Sequence, residues 1–346
     1  MRSIPGGGPF LRMPETKHIA ADDDGIRLDR WFKRHYPGVT HVLLEKLLRK
    51  GEVRLDGKRV KSSDRVEKGQ IVRLPPQVIY ADKDAPQKPA PKPRPEDSAL
   101  LQDMILYMDK AVIVLNKPSG LATQGGSGLS RHVDGMLDSI AFEKKQRPRL
   151  VHRLDRDTSG VLVIARTPTA AAALSRALAE RDASKIYWAM TRGVPKEKSG
   201  SINVALAKEG GFGTHGQDER MTPSMSDEAK HAVTDYVVLG HAGDEYAWVA
   251  AKPVTGRTHQ IRVHLASLGT PIVADFKYGG TDARPRGQID DRLHLHARSI
   301  DIAHPEGGRL KVTAPLPPHM LKSWELFGFD VDDTRDPFAA RKKKRK

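Results

Sequence analysis

Apolar and polar positions divide the chain into two stretches of different texture, separated by a proline-rich run. In the first, L-D-R-W-F-K-R-H-Y (28–36) predicts a short helix stopped by Pro37-Gly38. Thr40 is placed to cap a second helix, H-V-L-L-E-K-L-L-R-K, whose Leu43, Leu44, Leu47 and Leu48 share one face. Gly51 then ends it. Glu52–Leu55 and Lys58–Val60 flank Asp56-Gly57, a two-residue hairpin signal.

Residues 81–98 contain A-P-Q-K-P-A-P-K-P-R-P, and repeated prolines that fix φ and remove donors predict an extended linker. Beyond it the pattern becomes that of a larger α+β domain. Val112–Leu115, Val161–Ala165, Ile186–Thr191 and Tyr246–Lys252 read as strands. Thr167 and Pro168 open a helix running to about Glu180. Thr258 opens another, with Ile261, Leu265 and Leu268 inward and Gly269 at its end. The expected organisation is a flexible start (1–25), a small module (26–80), a linker (81–98), a large domain (99–335) and a basic tail (336–346).

Composition sharpens the list of partners. The net charge is +15 over 346 residues, an excess that attracts polyanions, nucleic acid first. No apolar run approaches the roughly 20 residues of a membrane span, and no basic amphipathic helix carries the bulky apolar face of a membrane binder. The start, M-R-S-I-P-G-G-G-P-F, has no apolar stretch of the signal-peptide kind, so a cytoplasmic protein is expected; a monomer is also expected, without a residue that carries it. With no cysteine, disulfides, thiolate nucleophiles and Cys-ligated zinc are excluded. The tail R-K-K-K-R-K (341–346) reads either as an electrostatic contact or as a solvated end.

Between residues 26 and 75 stand 14 Lys/Arg against 6 Asp/Glu. Arg30, Lys33, Arg34, Arg49 and Lys50 fall near the polar sides of the two helices, and Arg54, Lys58 and Arg59 on the hairpin. Cations on a rigid helix-plus-hairpin surface can straddle phosphates without reading sequence. On pattern alone they are equally at home as solvated helix faces.

Three segments concentrate reactive side chains. V-H-R-L-D-R-D-T-S-G-V-L-V-I-A (151–165) packs His152, Arg153, Asp155, Arg156 and Asp157 against an apolar strand, where charge is costly unless paired. It reads as ordinary surface ion pairs or as a carboxylate held at a strand edge by cations. In S-K-I-Y-W-A-M (184–190), Tyr187 shares a strand face with Ala189, and core packing is the commoner fate of such a tyrosine. In V-T-G-R-T-H-Q-I-R-V-H-L-A-S-L-G (254–269), His259 and Arg262 lie three apart on one helix face. Arg262 borders the apolar stripe, either as a surface arginine or as a guanidinium entering a partly buried site.

Taken together these segments resemble the RluA family of pseudouridine synthases. H-R-L-D-R-D-T-S-G is similar to its catalytic-aspartate motif, K-I-Y-W-A to its tyrosine segment and G-R-T-H-Q-I-R-V-H to its arginine segment. N-K-P-S-G-L-A-T (116–123) is similar to its first motif. The resemblance spans about residues 100–325. Residues 26–75 resemble the RNA-binding module first known from a small-subunit ribosomal protein. Their combination with G-G-S-G-L-S (125–130) resembles the RluC type, which acts on large-subunit (23S) ribosomal RNA. Residues 205–225 depart from that pattern.

The resemblance implies an α+β fold with a large mixed, mainly antiparallel sheet. It also implies an isomerase that turns uridine into pseudouridine by flipping the base out of its stack. It gives Asp155 the carboxylate role, Arg262 that of a cation keeping Asp155 ionised, and Tyr187 that of a ring against the uracil. Arg153 becomes a candidate to fill the space left by the flipped base, and His152 to contact phosphate or order the loop. The reaction changes no oxidation state and adds no water, so no cofactor or metal is expected. Asp157 as a second, hydrolase-like carboxylate is disfavoured, since hydrolysis needs room for water between the two. His294 and His296 (H-L-H) are read as a hydrogen-bonded core pair rather than metal ligands. The competing readings are an RNA-binding assembly factor without activity, which the intact motifs disfavour, and a nucleoside hydrolase, which the RNA-binding module disfavours.

Overall fold

Local signals fix the helices of the N-terminal part. In the computed structural model, α1 spans Leu28–His35 and α2 spans His41–Lys50. Thr40 caps α2 by accepting the Leu43 N–H at 3.3 Å, and Gly51 closes it at φ 71°. Asp56 and Gly57 both take positive φ (48° and 75°), as a tight hairpin turn requires. The expected return strand over Lys58–Val60 does not form. Instead β2 (Arg54–Leu55) pairs with β3 (Ile71–Leu74), and the other edge of β3 pairs with β1 (Glu15–His18). Leu28, Trp31, Phe32, Leu44, Leu47 and Val72 fill the core beneath this three-stranded sheet.

The structure describes residues 14–83, 94–125, 131–143, 146–209, 220–226 and 228–339. Two compact units divide the chain, Met1–Lys92 and Pro93–Lys346. Two expectations need correction. The start is not loose throughout, because β1 completes the sheet and Ile19 is a core residue, 2% exposed. The stretch 81–98 is not extended at its ends, which belong to α3 (Pro76–Lys83) and α4 (Pro95–Asp103). Proline is well tolerated at the first helical position, and Glu96 and Asp97 favour the N-terminal end of the α4 dipole. Residues 84–93 lie outside the described residues, as do 1–13.

The second unit is built on a ten-stranded sheet. Its strands are β4 (Ile105–Met108), β5 (Val112–Lys117), β6 (Arg149–Leu150), β7 (Ser159–Ala165), β8 (Ser184–Arg192), β9 (Ser199–Asn203), β12 (Val233–Ala242), β13 (Tyr246–Pro253), β14 (Leu295–Ala303) and β15 (Arg309–Thr313). A separate hairpin, β10 (Leu206–Glu209) with β11 (Arg220–Pro223), lies within residues 205–225. Residues 210–219 of that segment lie outside the described residues. The main path is β4-β5-β7-β14-β8-β13-β12-β9, with β6 on β7 and β15 on β14. Every named pairing is antiparallel except β7 with β14.

Strands β5 and β7 are covered on both faces, which is why they read as unbroken apolar runs. Val112, Val114, Val161 and Val163 meet α6 (Pro168–Ala179) through Ala170, Leu174 and Ala177. Ile113, Leu115, Leu162 and Ile164 meet α4 and α5 (Val133–Met136) on the other face. Thr167 caps α6 by accepting the Ala170 N–H at 3.1 Å. Further along, Trp188 and Trp248 pack on Trp324 of α9 (Pro318–Phe327), and Ala189 and Val249 on Ile261 and Leu265 of α7 (Gln260–Ser267). Phe338, 2% exposed, joins the tryptophan cluster, so packing continues past residue 335. Residues 340–346, and with them the basic R-K-K-K-R-K run, lie outside the described residues.

The parallel contact explains one motif residue. Gly160 has φ 106°, and a Cβ there would fall 2.2 Å from the Ala297 carbonyl oxygen of β14. Only glycine lets β7 approach β14 that closely while turning out of the Asp155 loop.

Candidate active site

The loop carrying Asp155 is fastened at nearly every residue. Lys117, fully buried at the end of β5, donates to the carbonyls of Pro118 (2.8 Å), Leu121 (2.8 Å) and Arg156 (2.9 Å). Burial pushes its pKa down to about 7, with Asp157 and then Asp155 opposing the shift. Thr123 Oγ1 donates to the Leu154 carbonyl at 2.6 Å and accepts the Leu154 N–H at 3.2 Å. Ser119 Oγ donates to the Asp157 carbonyl at 2.8 Å, and the Gly120 N–H to the Arg156 carbonyl at 2.9 Å. The N-K-P-S-G-L-A-T segment is thus the mould in which the Asp155 loop sits.

Asp155 opens on a cavity of about 150 Å³ whose lining includes Arg153, Thr158, Tyr187, His259 and Arg262. Residues from three distant segments therefore meet at one place. Asp155 keeps 20% of its side chain exposed, and His259 Nε2 lies 3.7 Å from its Oδ2. Burial holds the His259 pKa below the ordinary imidazole value, with Asp155 opposing and Arg262 and Lys277 adding to the depression.

Arg262 does not form the direct pair with Asp155 that the resemblance suggested. Its Nε and Nη2 donate to the two carboxylate oxygens of Asp275 at 2.9 and 2.7 Å, and the Asp275 side chain is wholly buried. The physical reason is burial. A guanidinium on the enclosed side of α7 needs a bidentate partner, and Asp275, next to α8 (Phe276–Gly279), supplies it. Burial works against the charge of Arg262. The hydrogen bonds and attraction of Asp275, with a smaller pull from Asp155, more than offset it and raise its pKa. Arg262 therefore acts on Asp155 as a fixed charge lining the same cavity.

Tyr187, on β8, is half-buried between two apolar clusters. Burial, and then the negative charge of Asp155, push its phenol well above the ordinary value, so it stays protonated. Arg153 is exposed at the cavity. His152 points elsewhere: its Nε2 accepts the Val163 N–H at 2.8 Å, and burial lowers its pKa to about 4. A neutral ring already engaged with β7 suits the loop-ordering alternative better than a phosphate contact. Thr158 Oγ1 is buried at the cavity wall with no hydrogen-bond partner among the described residues, leaving a hydroxyl for a ligand.

α7 also differs from expectation in its faces. It begins at Gln260, after His259 in a left-handed conformation (φ 53°), and Leu268 is 39% exposed. Gln260, Arg262 and His264 are buried along with Ile261, Val263 and Leu265, so the helix is enclosed almost all round. His294 and His296 are fully buried and hydrogen-bonded, to Ser323 Oγ (2.9 Å) and the Arg292 carbonyl (2.7 Å), and to Ser159 Oγ (2.9 Å) and the Ala314 carbonyl (3.3 Å). Burial lowers both to about 3.

In the small unit Arg30, Lys33, Arg49, Lys50, Lys58 and Arg59 are exposed. Lys50 Nζ stands 3.8 Å from Glu52. Two of the expected phosphate contacts have structural duties. Arg34, itself still exposed, binds buried Asp23 at 2.5 Å, alongside His35 at 2.6 Å. Arg54 donates to the carbonyls of Gly51 (3.1 Å) and Gly57 (3.0 Å), bracing the hairpin turn. Sequence reasoning missed Asp23, Lys117 and Asp275, and Tyr278, whose hydroxyl lies 2.6 Å from His259 Nδ1. For Asp275 a signal existed, since a lone acid directly after the apolar P-I-V-A run calls for a buried partner.

Comparison with known proteins places this geometry. A family model described as RNA pseudouridylate synthase matches residues 111–267, and an S4 domain model matches residues 26–72. Ribosomal large subunit pseudouridine synthase C of Salmonella typhi is 37% identical over 316 residues, covering 89% of this chain and 95% of that protein. The chain belongs to the RNA pseudouridylate synthase family. It is a synthase of the RluA type with an N-terminal S4 domain, and so an RNA-directed isomerase by family. RNA pseudouridine synthase 4, mitochondrial, of Arabidopsis thaliana is 34% identical over 94% of this chain and 84% of its own length. Among solved structures, human RNA Pseudouridylate Synthase Domain Containing 4 is similar to the synthase with a TM-score of 0.55 at 26% identity, over 69% of this chain and 99% of that one. Among the described residues no helix is long and apolar enough to cross a membrane.

Proposed function

We propose that this synthase isomerises uridines of large-subunit (23S) ribosomal RNA, acting in the cytoplasm as a monomer, with Asp155 as the reacting carboxylate. The observation that carries the site reading is the convergence of Asp155, Tyr187 and Arg262 on one cavity of about 150 Å³. The substrate reading is supported by the match along most of the chain to a relative named for the ribosomal large subunit.

Asp155 stabilises the positive charge that develops on the ribose as the bond from its anomeric carbon to the ring nitrogen breaks. The freed uracil turns within the cavity and rejoins through a ring carbon. The carbon gives up its proton and the nitrogen gains one, so the product is an isomer. Tyr187, its phenol hydroxyl protonated, presents its ring face to the uracil. Arg262, fixed by Asp275, keeps a positive charge at the cavity that Asp155 also lines. Arg153 at the cavity takes the space vacated by the flipped nucleotide. The exposed cations Arg30, Lys33, Arg49, Lys50, Lys58 and Arg59 hold the RNA backbone, with Arg34 and Arg54 shaping the surface that presents them.

Asp155→Asn tests this directly. Pseudouridine formation on a large-subunit RNA fragment is expected to fall about 10³-fold or more while RNA affinity stays within about twofold. Product formed at the unaltered rate removes Asp155 from its role.

A further inference from the structure

Tyr278 touches more of the site than any motif residue suggests. Its hydroxyl lies 2.6 Å from His259 Nδ1 and accepts the Met221 backbone N–H at 3.2 Å. The Arg262 guanidinium stands 5.1 Å from its ring centroid, and that of Arg220 5.4 Å. Tyr278 thus joins the β10–β11 hairpin, through Arg220 and Met221, to the helix that lines the cavity.

The hydroxyl has one proton to give, and the Met221 N–H already occupies it as an acceptor. Burial raises the pKa of Tyr278, so it remains a donor, and the proton goes to His259 Nδ1. Burial also keeps His259 neutral, and a neutral imidazole carries a single N–H. With Nδ1 accepting, that proton sits on Nε2, the atom 3.7 Å from Asp155 Oδ2. The opposite tautomer would turn a lone pair toward the carboxylate. The backbone of His259 is held for this placement. It adopts φ 53° and ψ 17°, a left-handed conformation disfavoured for a non-glycine residue, while its carbonyl accepts the Val263 N–H at 3.0 Å.

We infer that Tyr278 is a positioning residue that selects the tautomer of His259, so that an N–H faces the Asp155 carboxylate. The inference rests on the reading of Asp155 as the reacting group. Its closest readout does not need turnover.

In full-length protein labelled with ¹⁵N-histidine, the His259 ring, assigned by its loss in His259→Gln, is expected to show one tautomer with the proton on Nε2. In Tyr278→Phe, which keeps the ring beside Arg262 and Arg220, the two tautomers are expected to mix. kcat is expected to drop about tenfold with KM for RNA unchanged, the size of one hydrogen bond's effect. Adding Tyr278→Phe to His259→Gln is expected to cost nothing further. A wild-type spectrum with the proton on Nδ1 overturns the inference whether or not the variant folds. So does a Phe variant with an unaltered tautomer, or losses that multiply in the double variant. Failure of the Asp155 reading is separately visible as product from Asp155→Asn with the His259 spectrum unchanged.

Discussion

The two units treat positive charge in opposite ways. In the small unit Lys33, Arg49, Lys58 and Arg59 stand in water above an apolar core of Trp31, Phe32 and leucines. In the large unit Lys117 and Arg262 are buried and committed, one to three carbonyls and the other to Asp275. Exposed cations are screened and mobile, which suits a grip on phosphates of any sequence. A buried guanidinium such as Arg262 is locked in place by the cost of leaving it unpaired, which suits a site that presents a fixed potential, while the Lys117 amine, its pKa pushed down to about 7 by burial, serves to hold the loop backbone. The contrast extends to most of the histidines: His18 and His41 of the small unit are exposed and half-buried His35 is paired with Asp23, whereas His294 and His296 are enclosed.

Acid should therefore separate the units, and this is the largest expected effect. Buried His294 and His296 have pKa values near 3, against about 6.5 when unfolded. Because the folded state binds these protons less readily, their stability contribution is complete above about pH 6.5 and is lost as pH falls toward 3. At about pH 4.5 the loss is roughly 2–3 kcal/mol for each histidine. Hydrogen exchange followed by mass spectrometry should show the large unit opening first as pH drops. Parallel loss of protection in both units breaks the comparison.

Next in size is the Arg262–Asp275 pair. Asp275→Asn leaves a buried guanidinium without its counter-charge and should destabilise the large unit by about 3–5 kcal/mol, read from denaturant unfolding. A loss under about 1 kcal/mol, as for a surface pair, would mean that this charge is not locked after all.

Smallest are the surface cations. Replacing Lys33, Arg49 or Lys58 singly by Ala should weaken RNA binding modestly and lower the slope of log affinity against log salt by up to about 0.7–0.9 each, with kcat unchanged. A changed kcat at an unchanged slope would place these side chains in chemistry rather than in grip.

Much of this contrast was legible in the sequence where the governing contacts are local. Thr40 and Gly51 bound α2, and Thr167 with Pro168 opens α6, because caps act within one helical turn. Asp56-Gly57 fixes its own turn. What depended on distant partners was not legible. Residues 15–18 look like an unremarkable polar stretch until β3 offers them an edge. Pro95 reads as a linker residue until Glu96 and Asp97 follow it into a helix. The convergence on Asp155 came from motifs rather than periodicity, and they identified Arg262 without its carboxylate, because Asp275 lies in another segment. The Leu268 error has the same root: a stripe predicts one buried face, and α7 is enclosed on nearly every side.

The three hydrogen bonds from the Lys117 ammonium bear on timing. They tie the stretch following β5 to the backbone beside Asp155 within the folded chain itself, with no nucleotide involved. The backbone that carries the carboxylate is then held by contacts formed in folding. If Asp155 has its proposed role, the rearrangement that remains for each turnover falls mainly on the RNA strand, which extrudes its base toward that loop. Preorganisation of this kind makes the speed of the enzyme sensitive to how easily a given uridine unstacks.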